Sequence, residues 1–281
     1  MDQQVTSESG DYPLPTTDTQ AALVDELWQA IRTEAQAASL EEPALASFYH
    51  ATLLNHESFA SAVSFHLANK LDSQAVPAMM IREVFEAAMA HDPSIEAAMR
   101  ADIRAHCERD PACEKFSTPF LFFKGFHALQ SYRFAHHLWQ RDRRSLALYL
   151  QNQISQAFGV DIHPGARIGE GIMIDHATGV VIGETAVIGD EVSMLHSVTL
   201  GGAGRTAGDR HPKIGRGVLI STGAKILGNI QVGECAKIGA GSVVLDSVPA
   251  HTTVAGVPAR IVGHPKGEIP ARDMDQGFNG D

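Results

Sequence analysis

The chain has 281 residues, of which 44% are hydrophobic and 20% charged, a composition that suits one large or two ordinary globular domains with buried cores. Its 22 basic and 33 acidic residues give a net charge of -11, which excludes a broad cationic surface for nucleic acid or anionic lipid. Residues 1–20 lack the basic and apolar regions of a signal peptide, and no apolar run reaches the roughly 18 residues of a membrane span. We therefore expect a cytoplasmic protein that binds neither nucleic acid nor a membrane.

The three cysteines, Cys107, Cys113 and Cys235, cannot all pair within one chain and form no Cys-x-x-Cys motif. This pattern indicates neither a disulfide framework nor a cysteine-rich zinc site, and it suits a reducing compartment. Cys107 and Cys113 lie in or near a helical stretch, where their simplest interpretation is as small buried hydrophobic residues.

Glycine and aromatic residues divide the chain at Phe158. Two of the 25 glycines precede this residue and 23 follow it, whereas 17 of the 18 aromatic residues lie at or before it. Such a shift indicates two domains with differently built cores. We predict a disordered tail over residues 1–19, a helical domain over 20–158, a β-helical domain over 159–263 and a C-terminal tail over 264–281.

Apolar residues of the first domain recur at the spacing of amphipathic helices, starting at Ala21 and continuing over residues 48–71, 79–106 and 119–158. The dipeptides Asp92-Pro93 and Asp110-Pro111 interrupt this pattern, because proline does not continue a helix. The segment Ser117-Thr118-Pro119 predicts an N-cap followed by a helix-starting proline. We expect five or more helices.

The second domain repeats every six residues. An aliphatic residue or methionine marks each repeat, at Ile162, Ile168, Ile174, Ile182, Ile188, Met194, Leu200, Ile214, Ile220, Ile226, Val232, Ile238 and Val244. Two residues are inserted once, around Gly179 to Val181, and the fourth residue after most marked positions is Ser, Thr, Ala or Val. This period fits short strands joined by tight turns and stacked as a β-helix. Glycines directly after marked residues are interpreted as strained corner positions.

The six-residue rule lapses between Leu200 and Ile214, which predicts a protruding loop, and loops on a rigid scaffold often carry function. Acid and histidine occur together at Asp161-Ile-His163, Asp175-His176 and Asp209-Arg-His211. Such groups can supply a general base, an orienting carboxylate and a charged clamp for a small substrate. His163, His176 and His196 leave open a zinc site like that of the gamma-class carbonic anhydrases. A β-helix that only organises partners is the non-enzymatic alternative.

Several segments together resemble the serine acetyltransferases, hexapeptide-repeat enzymes that make O-acetylserine for cysteine synthesis. The resemblance covers roughly residues 20–275 and rests on segments 124–133, 175–179, 201–204, 209–213 and 255–260. It implies an α+β fold, in which an all-α domain precedes a left-handed parallel β-helix of hexapeptide repeats with a protruding loop. It also implies acetyl transfer from the co-substrate acetyl-CoA to the hydroxyl of L-serine, without a metal, and feedback inhibition by L-cysteine. A sugar or another amino acid remains the alternative acceptor, because the repeat constrains the acyl donor more than the acceptor.

The same resemblance implies roles for individual residues. His176 is the general base that takes the proton of the serine hydroxyl, and Asp161 orients its imidazole. Arg210 binds the serine carboxylate through its two-pronged guanidinium, while Asp110 and Asp175 face the ammonium group.

By the same resemblance, His211 completes the serine pocket. CoA in this family lies in a groove between neighbouring β-helices, and we assign Gly202, Ala224 and Lys237 to that groove. A groove between subunits implies a trimer, and family members pair two trimers through their helical domains, so we expect a homohexamer. Members that bind O-acetylserine sulfhydrylase insert a tail that ends in isoleucine, whereas this chain ends at Asp281, which argues against that partner.

Overall fold

The computed structural model describes residues 17–204 and 207–277, the first nine of them by backbone alone. Helices fill the described chain up to Phe158, as α1 (Thr17–Glu41), α2 (Ala46–Tyr49), α3 (Phe59–Lys70), α4 (Ala78–His91), α5 (Ser94–Arg109), α6 (Ser117–Phe122), α7 (Lys124–Gln140) and α8 (Arg144–Phe158). A 3-10 helix (Pro43–Leu45) and a π-helical turn (His50–Leu54) flank α2. Helix α1 begins inside the tail predicted for residues 1–19, and residues 1–16 of that tail lie outside the described chain. None of the helices described is long and apolar enough to cross a membrane.

Helix ends follow the predicted breaks, but one cap comes from a distant helix. Helices α4 and α5 both end immediately before the predicted Asp-Pro dipeptides. Ser117, predicted as a cap, is instead the first residue of α6. The Glu34 carboxylate on α1 accepts hydrogen bonds from the backbone N–H groups of Phe116 and Ser117, at 3.2 and 2.7 Å. It thereby satisfies two donors that the start of a helix leaves unpaired.

The second domain is a β-helix of short strands. They are β1 (Val160–Ile162), β2 (Arg167–Ile168), β3 (Met173–Ile174), β4 (Val180–Ile182), β5 (Val187–Ile188), β6 (Ser193–Met194), β7 (Thr199–Gly201), β8 (Lys213–Ile214), β9 (Leu219–Ile220), β10 (Lys225–Leu227), β11 (Gln231–Val232), β12 (Lys237–Ile238), β13 (Val243–Val244), β14 (Thr253–Gly256) and β15 (Ala259–Gly263). Face A holds β1, β4, β7, β10 and β13; face B holds β2, β5, β8 and β11; face C holds β3, β6, β9, β12, β14 and β15. Paired strands are parallel except for the β14–β15 hairpin.

Strand register explains the six-residue period. Lys225 on β10 pairs with Val243 on β13, so a regular turn of the β-helix contains three repeats, one for each face. Val160 pairs with Val180, because two extra residues lie between β3 and β4. All marked residues except Ile168 are buried, as the repeat predicts. The fold class expected from the sequence is therefore confirmed.

The glycines after marked residues serve close packing, which corrects their interpretation as strained corners. A Cβ on Gly215 would lie 2.7 Å from the backbone nitrogen of Glu234 in the next turn. The left-handed corner positions lie two residues further on, as at Gly217, whose φ is 69°. Glycine is required at Gly215 because successive turns touch there backbone to backbone, and at Gly183 because the His211 ring fills the space.

One buried ionic network joins the helical domain to the first turns of the β-helix. Asp102 on α5 is completely buried. Its carboxylate accepts hydrogen bonds from Gln130 at 3.0 Å and Arg133 at 2.7 Å, both on α7, and from the Ile172 N–H at 2.8 Å. Arg133 also donates to the Gly169 carbonyl oxygen at 2.8 Å. Two helices and the β-helix therefore share one carboxylate.

The C-terminal segment returns to the β-helix and packs on it. Its short helix α9 (Pro270–Asp273) buries Ala271, whose carbonyl oxygen accepts a hydrogen bond from Ser193 Oγ on β6 at 2.7 Å. Arg272 forms an ion pair with Glu191. The predicted tail is thus ordered against the β-helix as far as residue 277, and residues 278–281 lie outside the described chain.

Three buried histidines make the stability of the helical domain depend on pH. Burial lowers the pKa of His66 to about 3, and burial also lowers the pKa values of His106 and His127. Below the unfolded value of about 6.5 the unfolded chain binds more protons than the folded one, so stability falls with falling pH. We expect each such histidine to lower the free energy of unfolding by up to about 1.4 kcal/mol per pH unit across this window. Urea unfolding at several pH values measures the slope.

A matched pair of variants assigns this slope. His66→Phe keeps an aromatic ring next to Phe48 and Phe120 and is expected to make the pH dependence shallower. His251→Gln, at an exposed position, serves as the control. An unchanged slope in His66→Phe would contradict the assignment.

Candidate active site

A cleft with a volume of about 390 Å³ lies where the helical domain meets the β-helix. Its walls are the turn after α5, the junction of α6 and α7, and the end of β3, with Asp110, Ala112, Phe122, Phe123, Lys124, Gly125, Ile174, Asp175 and His176. Helix α7 approaches β3 so closely that a Cβ on Gly125 would overlap the Ile174 carbonyl oxygen. Three residues predicted from the sequence, Asp110, Asp175 and His176, thus face one space.

His176 lies at the corner between faces C and A, which the two inserted residues enlarge. Its φ is 55° and that of Ala177 is 58°, so two successive non-glycine residues are left-handed. Backbone strain of this kind is concentrated at functional sites. The imidazole is 74% exposed, with Nε2 3.6 Å from Asp175 Oδ2 and its ring centroid 6.0 Å from that of His196. The ring is therefore open to a substrate in the cleft.

Asp161, the predicted partner of His176, makes other contacts in the single chain. It lies on β1, and its Oδ1 accepts a hydrogen bond from Gln151 on α8 at 2.7 Å. Its charge also acts on His163, whose pKa is lowered mainly by burial, against the raising effects of Glu184 and Asp161. Among the described contacts of one chain Asp161 is not paired with His176, so its orienting role stays a prediction.

Arg210 and His211 form a second polar group, at the corner between faces A and B. Arg210 Nη2 donates to Glu184 Oε2 at 2.7 Å, and this hydrogen bond lowers the pKa of the Glu184 carboxyl. The backbone N–H groups of Arg210 and His211 both donate to Thr185 Oγ1, at 3.0 and 3.1 Å. These contacts hold the end of the protruding loop against its corner. One chain therefore carries the predicted serine-binding residues in two separate groups.

His211 is 7% exposed because Gly183 makes room for its ring, which a Cβ there would overlap. The Thr185 N–H donates to His211 Nδ1 at 3.1 Å, which places the proton of the neutral ring on Nε2. Burial, followed by the charges of Arg210 and Lys213, lowers the pKa of His211. The ring is therefore neutral at neutral pH.

The three residues assigned to CoA lie on different parts of the β-helix. Gly202 is exposed at the start of the protruding loop, whereas Ala224 is fully buried and offers only its backbone. Lys237 on face C is 3% exposed, and its Nζ donates to the Gly277 carbonyl oxygen at 2.5 Å. Lys237 is thus held by the C-terminal segment, and all three assignments stay predictions.

The histidines considered for zinc do not converge within one chain. His176 and His196 are neighbours, but His163 lies at the corner between faces A and B, with its ring centroid 4.9 Å from that of Trp139. Within residues 17–204 and 207–277, no group of three or more His, Cys, Asp or Glu side chains is placed to hold a metal ion. The three-histidine arrangement is therefore not assembled by the part of the chain that the structure describes.

Sequence analysis missed residues in both groups. The Lys124 ammonium lines the cleft and hydrogen-bonds to Thr178 Oγ1 at the His176 corner. Glu184 and Thr185 hold the loop residues Arg210 and His211. The available signals were positional, because Lys124 opens the resembling segment 124–133 and Glu184 directly follows the repeat glycine Gly183.

Two family models match this chain, one within the helical domain and one within the β-helix. The model described as "Serine acetyltransferase, N-terminal" matches residues 27–131, and "Bacterial transferase hexapeptide (six repeats)" matches residues 211–246. The serine acetyltransferase of Salmonella typhimurium is 64% identical over 254 residues, which cover 90% of this chain and 93% of that protein. This chain belongs to the serine acetyltransferase family.

Solved serine acetyltransferases share the whole architecture. The crystal structure from Vibrio cholerae has a TM-score of 0.90 at 61% identity, covering 91% of this chain and 99% of its own. A serine acetyltransferase in complex with cysteine has a TM-score of 0.89 at 58% identity, covering 90% and 99%. The serine acetyltransferase fold therefore extends over both the helical domain and the β-helix.

Proposed function

We propose that this member of the serine acetyltransferase family transfers the acetyl group of acetyl-CoA to the hydroxyl of L-serine, releasing CoA and O-acetyl-L-serine, the first step of cysteine synthesis from serine. The observation that carries the proposal is the cleft that places the exposed His176 imidazole beside the carboxylates of Asp110 and Asp175. Related enzymes solved with serine, from soybean, and with CoA are 56% and 58% identical to this chain. Acetyl-CoA is therefore the co-substrate.

His176 acts as the general base in this proposal. The serine hydroxyl is a weak nucleophile at neutral pH, and a neutral imidazole that takes its proton during attack on the thioester carbon accelerates the reaction. The imidazolium then gives the proton to the leaving thiolate of CoA. Direct transfer of this kind needs no acyl-enzyme, and the open position of the ring leaves room for both substrates to meet beside it.

Serine is held through its two charged groups. Asp110 and Asp175 face the ammonium, and Asp110 is fixed because its Oδ1 accepts a hydrogen bond from the Ala112 N–H at 2.9 Å. Arg210 binds the carboxylate. Because Arg210 and His211 lie at a different corner from His176, we infer that a neighbouring chain supplies them, with its A–B corner facing the C–A corner of the first.

When one corner of each chain faces a different corner of the next, the contact repeats from chain to chain and closes into a ring, which we propose is a trimer. We propose further that two trimers pair through their helical domains. Exposed apolar side chains on both domains support such contacts. They are Leu40, Met79, Met80 and Phe122 on the helical domain, and Val181 and Leu245 on the β-helix. Light scattering is expected to give a hexameric mass, and a monomeric mass would overturn the shared site.

The experiment that tests the reaction follows the release of CoA thiol with three acceptors. L-serine is expected to support release in the presence of a chelator. Ethanolamine lacks the carboxylate and 3-hydroxypropionate lacks the ammonium, so both are expected to be poor acceptors. Equal release with all three acceptors, or without any acceptor, would contradict the proposal.

Arg210→Met is expected to raise the KM for serine by about 10- to 100-fold, because a charge-assisted hydrogen bond contributes about 1.5–3 kcal/mol. The KM for acetyl-CoA and the low activity with ethanolamine should change little. Steady-state kinetics measures all three quantities. The control is Arg216→Met, which removes an arginine paired with Glu191 at the corner between faces B and C. The carboxylate assignment fails if both variants have the same KM for serine.

L-cysteine shares the ammonium and carboxylate of serine, and we propose that it inhibits by occupying the same residues. Its inhibition constant should therefore rise together with the serine KM in Arg210→Met. The partnership with O-acetylserine sulfhydrylase concerns residues 278–281, which lie outside the described chain. Calorimetric titration with the sulfhydrylase tests whether the two proteins form a complex.

A further inference from the structure

Two cysteines that the proposed reaction does not use lie next to the cleft. The Sγ atoms of Cys107 and Cys113 are 3.1 Å apart. Cys107 is in the last turn of α5 and partly exposed, and Cys113 follows the helix and is 4% exposed. The sequence interpretation as separate buried hydrophobic residues is therefore incomplete, because the two side chains form a pair of thiols in direct contact.

The residue assigned to the serine ammonium, Asp110, lies in the chain between the two cysteines of this thiol pair. Its backbone N–H donates to the His106 carbonyl oxygen at 2.9 Å. Its carbonyl oxygen accepts a hydrogen bond from the Cys113 N–H, also at 2.9 Å. The position of the Asp110 carboxylate in the cleft is thus fixed by a short turn that connects the two sulfur-bearing residues.

We propose that Cys107 and Cys113 form a reversible redox site, whose disulfide displaces Asp110 and weakens the binding of serine. The part that concerns serine rests on the proposed function. A disulfide bond is about 2.05 Å long, so the two sulfur atoms must approach each other by about 1 Å. Misplacement of a binding group by about 1 Å can lower a rate by up to about 10²-fold.

The oxidant is a low-molecular-weight disulfide. The thiolate of the partly exposed Cys107 attacks one of its sulfurs, forms a mixed disulfide and releases one small thiol. Cys113 then attacks the Cys107 sulfur, forms the intramolecular bond and releases the second small thiol. The protein loses two electrons and two protons, and the small disulfide gains them. The hydrogen bond between the two thiols raises the pKa of Cys107 and lowers that of Cys113, so Cys107 attacks after passing its proton across this hydrogen bond to the Cys113 thiolate. Cys113 then releases that proton to the departing small thiolate before it attacks in turn.

The test uses the full chain in its reduced form, treated with oxidised glutathione and then quenched in acid. Peptide mapping by mass spectrometry should find Cys107 and Cys113 linked, with the loss of two hydrogens and no retained glutathione. Free thiols should fall from the three of the sequence to one. The KM for serine should rise by about 10-fold while that for acetyl-CoA stays constant, since Asp110 is assigned to the acceptor. Dithiothreitol should restore the reduced values.

Two cysteine variants and one control separate the outcomes. Cys113→Ser and Cys113→Ala should both prevent the linkage and the change in KM, and a wild-type circular dichroism spectrum of both variants excludes a folding defect. Cys235→Ser, at the distant corner between faces B and C, should keep the full response. The proposal is overturned if the folded protein forms no linkage, or if the linked protein keeps its KM for serine. The peptide masses and the number of free thiols can be measured without any enzyme activity. A protein that forms the linkage but never uses serine as an acceptor would therefore refute the proposed function and not the redox site.

Discussion

Replacing His176 by asparagine is expected to lower kcat for serine-dependent CoA release by about 10²- to 10⁴-fold, the usual contribution of a positioned general base. Asparagine tolerates the left-handed backbone at this position, where φ is 55°, but cannot take the proton. The side chain is 74% exposed, so the substitution should leave the fold intact. Steady-state kinetics should show a smaller change in the KM for serine than in kcat.

His196→Asn is the matched control, because this neighbouring imidazole hydrogen-bonds to Thr222 Oγ1 at 2.8 Å and lies outside the cleft lining. It is expected to retain most of the activity. Retention of wild-type kcat by His176→Asn would show that the general base is another residue. Asp161→Asn adds a test of the assembled enzyme, since a fall in kcat there would support an orienting contact that forms only between chains.

Asp102→Ala is expected to lower the free energy of unfolding by about 3–5 kcal/mol, because it leaves the buried charge of Arg133 without its partner. The Arg133 side chain is only 8% exposed, and the backbone N–H of Ile172 loses its acceptor as well. A change of this size is a large fraction of the roughly 5–15 kcal/mol that stabilise a typical domain. Urea unfolding followed by circular dichroism measures it.

Glu86→Ala provides the control, because its ion pair with Arg82 on α4 is about 40% exposed and such surface pairs contribute about 0.3–0.5 kcal/mol. The double variant Asp102→Leu, Arg133→Met removes both buried charges and should recover much of the loss, since an apolar pair leaves no charge unpaired. If Asp102→Ala destabilises no more than Glu86→Ala, the network does not hold the two domains together.

The sequence by itself determined the architecture of the β-helix and the location of its irregular corner. Each repeat contributes one strand of fixed length to one face, so the inward position recurs at a constant interval and is visible in a single chain. The same regularity exposed the two inserted residues, which enlarge the corner that carries His176. Helix ends at the Asp-Pro dipeptides were also predictable, because proline ends a helix through its immediate neighbours in the sequence.

Only the tertiary structure decided which side chains meet across the chain. The cap that Glu34 supplies to α6, the network around Asp102 and the contact between Cys107 and Cys113 all depend on how separate elements pack. The family resemblance implied a contact between Asp161 and His176, whereas within one chain Asp161 accepts a hydrogen bond from Gln151 of the preceding helix. The reason is physical: the repeat fixes the direction of a residue relative to its own turn, but contacts between domains follow from the packing of surfaces that are remote in sequence.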